Sequence, residues 1–264
     1  MAPDPAGALT IPMADLKLIA CDILVGLPRK PYPLFRPDAE DLDRELDRLQ
    51  ISAAVVRHRQ CVENFPHWGN DVLAREAKGR ANWIPAMCLT PDGAPDDYSF
   101  EATLARAFAR GMRIAWISPR EHMFSPRPWC SGRLYGACVE TKLPLLVDYR
   151  GITLDEIEEI LTAFPKLRLI VTQVPRLGRH RSLYALLERH PSLHLCLSSA
   201  YSVHEGIPDL VENFGHARFV WGTSYPEAEG GAAVALLTYA PLTDAARAAI
   251  AHRNIERLLV EVTP

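Results

Sequence analysis

The chain has 264 residues, 48% of them hydrophobic, and a formal net charge of −3 at pH 7. This length suffices for one large core, so we expect a single domain over residues 1–264, with residues 1–15 as an N-terminal extension. The charge provides no basic field for nucleic acid, and a small solute is the expected partner. No apolar run reaches membrane-spanning length and no secretory signal opens the sequence, which predicts a cytoplasmic protein without membrane contact.

The six cysteines are scattered along the sequence, and no CxxC spacing joins them into a zinc site or a redox pair. We expect them to be reduced and several of them to be buried. Cys88 and Cys196 lie within apolar runs, where a free cysteine behaves as a small hydrophobic residue.

Eight short apolar segments alternate with amphipathic segments, a pattern typical of βαβ units and a parallel sheet. The predicted strands cover residues 16–26, 51–59, 81–91, 112–119, 143–149, 167–174, 192–200 and 217–226. The predicted helices cover residues 38–50, 70–80, 99–111, 131–142, 153–165, 181–191, 206–215 and 232–242. Residues 243–259 predict an additional C-terminal helix. The α/β alternation therefore predicts a (β/α)8 TIM barrel.

The alternative architecture is an open doubly wound sheet. That fold needs a glycine-rich phosphate turn after the first strand, and the sequence LVGLPRKP from Leu24 does not supply one. In a barrel, the loops that follow the strands form the active face. The two long proline-rich loops, residues 26–38 and 120–130, are therefore candidate lids.

Three titratable residues at the ends of predicted strands are candidates for proton transfer: Asp22, Asp148 and His58. Carboxylates are rarely buried without a partner, and desolvation or a second carboxylate raises the pKa of an acid at a barrel mouth. Alternatively, either aspartate forms a structural salt bridge with an arginine such as Arg57 or Arg150. The ordinary pKa of histidine suits proton transfer near neutrality, but His58 could equally be a hydrogen-bonded structural residue.

Arginines recur after the strands, and a convergent group of them would recognise a carboxylate or phosphate through bidentate hydrogen bonds. Arg57 and Arg150 are the predicted substrate-binding arginines, although any single loop arginine could be solvated instead. The predicted neutral contacts are Gln173, Ser199, Tyr201 and Ser224. Further polar candidates in the same loops are His122, His204, Arg59, Arg120, Arg127, Arg176, Arg179 and Arg181. Aromatic residues that could line a pocket for a ring-shaped ligand are Trp68, Trp116, Tyr149 and Trp221.

Six segments carry a family resemblance when they are taken in order. They are Gly69–Asn70, LPLLVDY from Leu143, FPKLRLIVTQVPRLG from Phe164, ERHPSLHLCLSS from Glu188, NFGHARFVWGTSYP from Asn213 and RNIERLL from Arg253. Together they resemble the amidohydrolase-related family of metal-dependent TIM-barrel hydrolases and decarboxylases. The resemblance covers the chain from about Leu16 to Leu259.

The resemblance also implies where metal ligands would lie, and this chain has other residues there. The family usually carries Asp-x-His-x-His on the first strand, a histidine at the ends of the fifth and sixth, and an aspartate on the eighth. The corresponding residues here are Ala20, Asp22, Leu24, Asp148, Gln173 and Ser224. Zinc needs at least three converging imidazole, thiolate or carboxylate ligands, so we expect no tightly bound catalytic metal and no other cofactor. Two carboxylates alone could hold magnesium only weakly.

Two hypotheses of different classes follow. The first is an enzyme that replaces metal chemistry with acid–base catalysis by Asp22, Asp148 and His58 on a small anionic cyclic or aromatic substrate. Because the family includes lactone hydrolases that act without metal, the implied reactions are lactone-type hydrolysis, ring closure or opening, and decarboxylation. The alternative is a non-catalytic barrel that binds a ligand or a partner protein. A metal site rebuilt from Asp22, His58, His122 and Asp148 is a third hypothesis, and the chain could form a homo-oligomer, as barrels of this type commonly do.

Overall fold

The structure is a computed structural model that describes residues 16–30, 36–91, 99–175, 181–201, 203 and 205–264. All strand pairs in it are parallel. The strands are β1 (Ile19–Val25), β2 (Ala53–His58), β3 (Trp83–Pro85), β4 (Met87–Cys88), β5 (Ala115–Ile117), β6 (Leu145–Asp148), β7 (Leu169–Thr172), β8 (Leu193–Leu197) and β9 (Phe219–Trp221). They pair in the orders β1-β2-β3 and β4-β5-β6-β7-β8-β9.

The two strand groups form one barrel. Only Ala86 separates β3 from β4, and its N–H donates to the carbonyl of Val56 at 2.9 Å, so these two segments make up the predicted third strand. The other edge is closed where the Leu24 N–H donates to the carbonyl of Tyr225 at 3.1 Å. The prediction of a (β/α)8 barrel is confirmed.

Helices alternate with these strands, as the sequence pattern predicts. They are α1 (Ala39–Arg48), α2 (Gln60–Glu63), α3 (Pro66–Glu76), α4 (Phe100–Ala109), α5 (Pro128–Glu140), α6 (Leu154–Ala163), α7 (Arg181–Arg189), α8 (Gly206–Phe214), α9 (Gly230–Thr238), α10 (Asp244–Ala248) and α11 (Asn254–Val260). No helix within the described ranges is long and apolar enough to cross a membrane.

Several helix boundaries differ from the sequence prediction. Helices α3 and α5 begin earlier, at Pro66 and Pro128, because proline is favoured in the first turn, where its missing N–H costs nothing. The single C-terminal helix is divided by a π-helical turn over Ala249–Arg253. A capping box of Thr153 and Glu156 is present at the start of α6.

An irregularity in β1 determines which side chains reach the mouth of the barrel. Ala20 is paired with Ala54, whereas the next pair joins Ile23 to Val56, so three steps along β1 oppose two along β2. Such a β-bulge inserts one extra residue and changes the direction in which later side chains point. Asp22 lies within the bulge, and its carboxylate reaches the backbone beyond β9.

Gly69 and Asn70 hold helix α3 against the barrel. The Asn70 side chain donates to the carbonyl of Cys88 at 2.9 Å and accepts from the N–H of Cys88 at 2.7 Å. This amide therefore satisfies the backbone of β4 at the point where the sheet is interrupted. A methyl group on Gly69 would overlap the backbone nitrogen of Cys61 in α2.

We therefore expect Gly69→Ala to lower the free energy of unfolding by about 1–3 kcal/mol, because overpacking forces α2 and α3 apart. Gly136→Ala in α5 is the matched control, since no atom lies within 4 Å of the added methyl group. That change should be neutral or stabilise by up to about 1 kcal/mol through helix propensity. Urea unfolding of both variants measures the difference, and equal effects would contradict this packing account.

Candidate functional site

A cavity of about 370 Å³ opens at the carboxyl ends of the barrel strands. Five strand-end residues at which the family resemblance implies metal ligands all line it: Asp22, Leu24, Asp148, Gln173 and Ser224. Apolar side chains form further parts of the wall: Val62, Trp116, Ile117, Tyr225 and Pro226. The cavity thus combines apolar surfaces with a small set of polar groups, as small-molecule sites generally do.

The Asp22 side chain is buried, and its carboxylate accepts hydrogen bonds from the backbone beyond β9. Oδ1 accepts from the Thr223 N–H at 2.8 Å, and the Ser224 N–H is shared between Oδ1 and Oδ2 at 3.0 Å each. The Ser224 hydroxyl is farther from Oδ2, at 3.4 Å, and is 2.8 Å from the Ser198 hydroxyl. Oδ1 thus accepts two backbone hydrogen bonds, whereas Oδ2 accepts one together with the longer bond from the Ser224 hydroxyl, so Oδ2 has the greater capacity to accept a proton or a ligand hydrogen bond.

Burial raises the pKa of Asp22 above its ordinary value of 3.8, because the charged form is desolvated. The hydrogen bond from the Ser224 backbone and the positive charge of Arg57 act in the opposite direction and lower the pKa. Desolvation is the larger effect. An acid with a raised pKa at the floor of a cavity is suited to proton transfer.

Arg57 lies beside Asp22 at the end of β2, with only 6% of its surface exposed. Its Nη2 donates to the backbone carbonyl of Asp22 at 2.8 Å, and its guanidinium lies 5.6 Å from the centre of the Trp116 ring. Within the described ranges, Arg57 has no ion pair with a carboxylate, and both its Nε and the Trp116 Nε1 are buried without a hydrogen-bond partner. The cavity therefore contains a buried positive charge that a ligand anion could neutralise.

Asp148 and Arg150 line the opposite side of the cavity as an ion pair. The Asp148 carboxylate accepts from Nε of Arg150 at 3.0 Å, from Nη2 at 2.6 Å and from the Arg150 backbone N–H at 2.8 Å. Arg150 also pairs with Glu227, and these two carboxylates raise its pKa. The structural salt bridge considered for Asp148 is thus present.

Gln173 and Ser224 line the cavity from backbone positions that few non-glycine residues adopt. Their φ angles are 56° and 63°. Left-handed backbone at a non-glycine residue costs on the order of 1 kcal/mol and concentrates at functional sites. At both strand ends the turn directs a polar side chain toward the cavity.

Three of the predicted site residues do not line this cavity: His58, Ser199 and Tyr201. The His58 side chain lies on the helix-facing side of β2, where Nε2 is 3.3 Å from a Glu76 carboxylate oxygen and Nδ1 accepts from the Gln60 N–H at 3.1 Å. Tyr201 is buried in the core between the barrel and the helices. Near β8, the residue that reaches Ser224 is Ser198.

The remaining candidates divide between the cavity and other places. Arg59 and Trp116 line the cavity, and His122 lies nearby, where its Nε2 is 2.8 Å from the carbonyl of Cys61 and burial lowers its pKa. Arg127 pairs with Glu159, and Trp221 is buried with its indole N–H bonded to Ala233. The structure does not place Trp68, Arg120, Tyr149 or Arg181 in the lining of this cavity. His204, Arg176 and Arg179 lie outside the described residues.

Three glutamates that line the cavity were not singled out from the sequence: Glu63, Glu121 and Glu227. Glu63 accepts hydrogen bonds from the Arg29 backbone N–H at 3.0 Å, and Glu121 accepts from the Ser118 hydroxyl at 2.5 Å. Glu227 follows TSYP directly after the eighth strand. Its position in a loop on the active face was the available signal.

The side chains at the barrel mouth do not fit a catalytic transition metal. Within the part of the chain that the structure describes, no three histidine, cysteine, aspartate or glutamate side chains converge as metal ligands. Asp22 is already bonded to backbone N–H groups, and Asp148 is bonded to Arg150. His58 faces Glu76 rather than the aspartates, so the structure does not assemble the rebuilt metal site.

Sequence comparison places this barrel in a known family. The profile of the family described as Amidohydrolase matches residues 15–260. The chain belongs to the amidohydrolase family. No curated protein sequence matches it significantly.

Solved structures with this fold share little sequence with the chain. A 5-carboxyvanillate decarboxylase from Sphingomonas paucimobilis is 15% identical with a TM-score of 0.71, and the match covers 94% of this chain and 100% of that one. A putative 2-pyrone-4,6-dicarboxylic acid hydrolase from Pseudomonas putida is 16% identical with a TM-score of 0.70, covering 94% and 99%. An uncharacterised TIM-barrel protein from Bordetella bronchiseptica is 19% identical with a TM-score of 0.69, covering 93% and 99%. At these identities the similarity shows the TIM-barrel fold alone.

Proposed function

We propose that this protein is a metal-independent enzyme of the amidohydrolase family that acts by acid–base catalysis on a small cyclic or aromatic substrate carrying an anionic group. The observation that carries the proposal is the adjacency of Asp22 and Arg57 at the floor of the cavity. One is a buried acid with a raised pKa, and the other is a buried guanidinium without a carboxylate partner. Acid–base chemistry beside a fixed positive charge suits the reactions of an anionic substrate.

The charges of the lining indicate that the substrate has a single strongly anionic group. The cavity is lined by three arginines and five carboxyl groups, so the lining has no excess of positive charge. Arg150 is neutralised by Asp148 and Glu227. Arg57 is the most buried of the three arginines and supplies the site for one carboxylate, and the acidic side chains near the rim would repel a substrate with several.

The apolar walls favour a planar substrate. Trp116 lies beneath the Arg57 guanidinium, and Ile117, Tyr225 and Pro226 extend the apolar lining. A ring held between these surfaces with its carboxylate at Arg57 would present a neighbouring atom to Asp22. The named similar structures include a decarboxylase of an aromatic acid and a putative hydrolase of a pyrone acid. Ring hydrolysis and decarboxylation are thus the two reaction types to test first.

The proposed chemistry assigns the proton to Oδ2 of Asp22. In its ionised form this oxygen can accept a proton from a water molecule or from the substrate, and in its protonated form it can return one. Hydrogen bonds from Thr223 and Ser224 hold the carboxylate in place during both steps. Asp148 orients Arg150 at the rim, and His58 takes no part in this scheme.

The direct test of this proposal is whether the enzymatic activity depends on a bound metal. We expect the purified protein to contain no near-stoichiometric zinc, iron or manganese, and its turnover of hydroxybenzoate- or pyrone-type carboxylates to be unchanged after chelation and after addition of these ions. Elemental analysis and assays on the same preparation make the measurement. Stoichiometric metal together with loss of activity on chelation would refute the proposal. Saturable binding without turnover of any such acid would instead support a non-catalytic binding barrel.

A further inference from the structure

A second cavity lies at the amino ends of strands β6 to β9, opposite the candidate active site. Its volume is about 730 Å³, and its lining includes no carboxylate. Five cationic side chains line it: Lys142, Lys166, Arg168, Arg218 and Arg257. Apolar surface from Val139, Pro165, Pro191 and Leu258 lies between them.

Part of this positive charge stabilises the barrel. Arg218 donates to the carbonyls of Leu187 at 2.7 Å and His190 at 2.6 Å, near the end of α7. Arg257 donates to the carbonyl of Ala217 at 3.2 Å. Carbonyl dipoles stabilise a guanidinium without neutralising it, so these bonds leave a net positive charge in the cavity.

Carboxylate partners are scarce around this charge. Arg168 pairs with Glu261. Within the described ranges, no ion pair involves Lys142 or Lys166, and both lysines are exposed. Bonds to backbone carbonyls and the ion pair with Glu261 account for the arginines but not for these two lysines.

His194 provides an imidazole in this cavity whose pKa depends on the charges around it. Its side chain is buried, and Nδ1 lies 2.8 Å from the carbonyl of Ser192, which assigns the proton to Nδ1 and leaves Nε2 as an acceptor. Burial, with smaller contributions from the positive charges of Arg257, Arg218 and Arg168, lowers the pKa of His194 to about 4. The Ser192 hydroxyl is buried here without a hydrogen-bond partner.

We propose that this cavity binds a small organic phosphate, with the phosphate at the lysines and arginines and an apolar body on the proline and leucine surface. A phosphate monoester carries a charge of about −1.5 to −2 at neutral pH and several acceptor oxygens, which suits several converging cations better than a single carboxylate does. This site lies at the opposite end of the barrel from Asp22, and its occupancy does not depend on the proposed enzymatic function.

The test uses phenyl phosphate and inorganic phosphate at constant ionic strength, with the imidazole resonances of His194 followed by NMR. The spectrum of His194→Gln assigns those resonances. We expect a saturable shift in the low millimolar range or below, with phenyl phosphate binding more tightly than inorganic phosphate. The bound anion should also raise the pKa of His194, because a nearby negative charge favours the imidazolium form.

The double variant K142Q/K166Q should weaken phenyl phosphate binding by about tenfold or more, because it removes two charged hydrogen-bond donors. The matched control K30Q/K78Q removes the same charge from two exposed lysines elsewhere and should bind as the wild type does. Two results would overturn the proposal: the absence of a saturable His194 shift in the wild type, and equal weakening in both double variants. The latter would indicate attraction by overall charge alone.

Discussion

Asp22→Asn is expected to lower turnover by about 10²- to 10⁴-fold, the usual contribution of a positioned acid or base. The asparagine oxygen can still accept from the N–H groups of Thr223 and Ser224, so the closed barrel should be kept while the proton-accepting oxygen is lost. Steady-state kinetics with the substrate found in the carboxylate screen measure the effect. Asp155→Asn in α6, outside the cavity, provides a control carboxylate and should retain full activity.

The pH dependence of the same variant separates a catalytic from a purely structural role. If ionised Asp22 is the base, wild-type activity should rise with pH through a pKa above 3.8, and this limb should be absent in Asp22→Asn. Stability should show the opposite trend. Because the folded-state pKa is raised, the unfolded chain ionises first, and the free energy of unfolding falls as pH rises from about 3.8 through the folded-state pKa. If the wild type and Asp22→Asn had parallel pH profiles of activity, Asp22 would not be the catalytic base.

Arg57→Met is expected to weaken binding of a planar monocarboxylate such as benzoate by about tenfold to a hundredfold, since hydrogen bonds to charged groups contribute about 1.5–3 kcal/mol. The folded state should tolerate the change, because the variant removes a buried charge that has no carboxylate partner in the described structure. Isothermal titration calorimetry measures the affinity. The exposed Arg44→Met serves as the control and should bind benzoate normally.

The same variant makes a second, independent prediction about Asp22. The positive charge of Arg57 lowers the pKa of that acid, so its removal should raise the pKa and move the acidic limb of the activity profile to higher pH. Arg57→Lys keeps the charge but loses the planar guanidinium. Its acidic limb should therefore lie close to that of the wild type, whereas its affinity for benzoate should stay lower. If Arg57→Met changed neither the affinity for benzoate nor the pH of the acidic limb, the substrate anion would not bind at Arg57.

The architecture could be read from the sequence with good accuracy. Alternating apolar and amphipathic segments arise because a strand or helix buries one face or both, and this pattern is local in the sequence. The eight βα units and the strand ends at Asp22, Asp148, Gln173 and Ser224 were therefore predictable. Replacement of the family's ligand residues could also be seen by position alone. The break between β3 and β4 could not be predicted, because it depends on how this strand pairs with β2 on one side and with β5 on the other.

Side-chain direction was decided by the tertiary structure. The periodicity of β2 cannot show which of two adjacent residues faces the cavity, and the fold directs Arg57 to it and His58 toward Glu76. The β1 bulge is likewise invisible in the sequence, since it arises from pairing with β2.

The sequence by itself determined that the chain forms an amidohydrolase barrel with carboxylic, neutral and apolar residues at the expected metal-ligand positions. Only the tertiary structure showed that Asp22 binds the backbone beyond β9 and that Arg57 stacks on Trp116. The physical reason is distance along the chain. Periodicity and composition report local burial, whereas charge pairing, desolvation and the resulting pKa of Asp22 depend on residues such as Ser224 that only folding brings together.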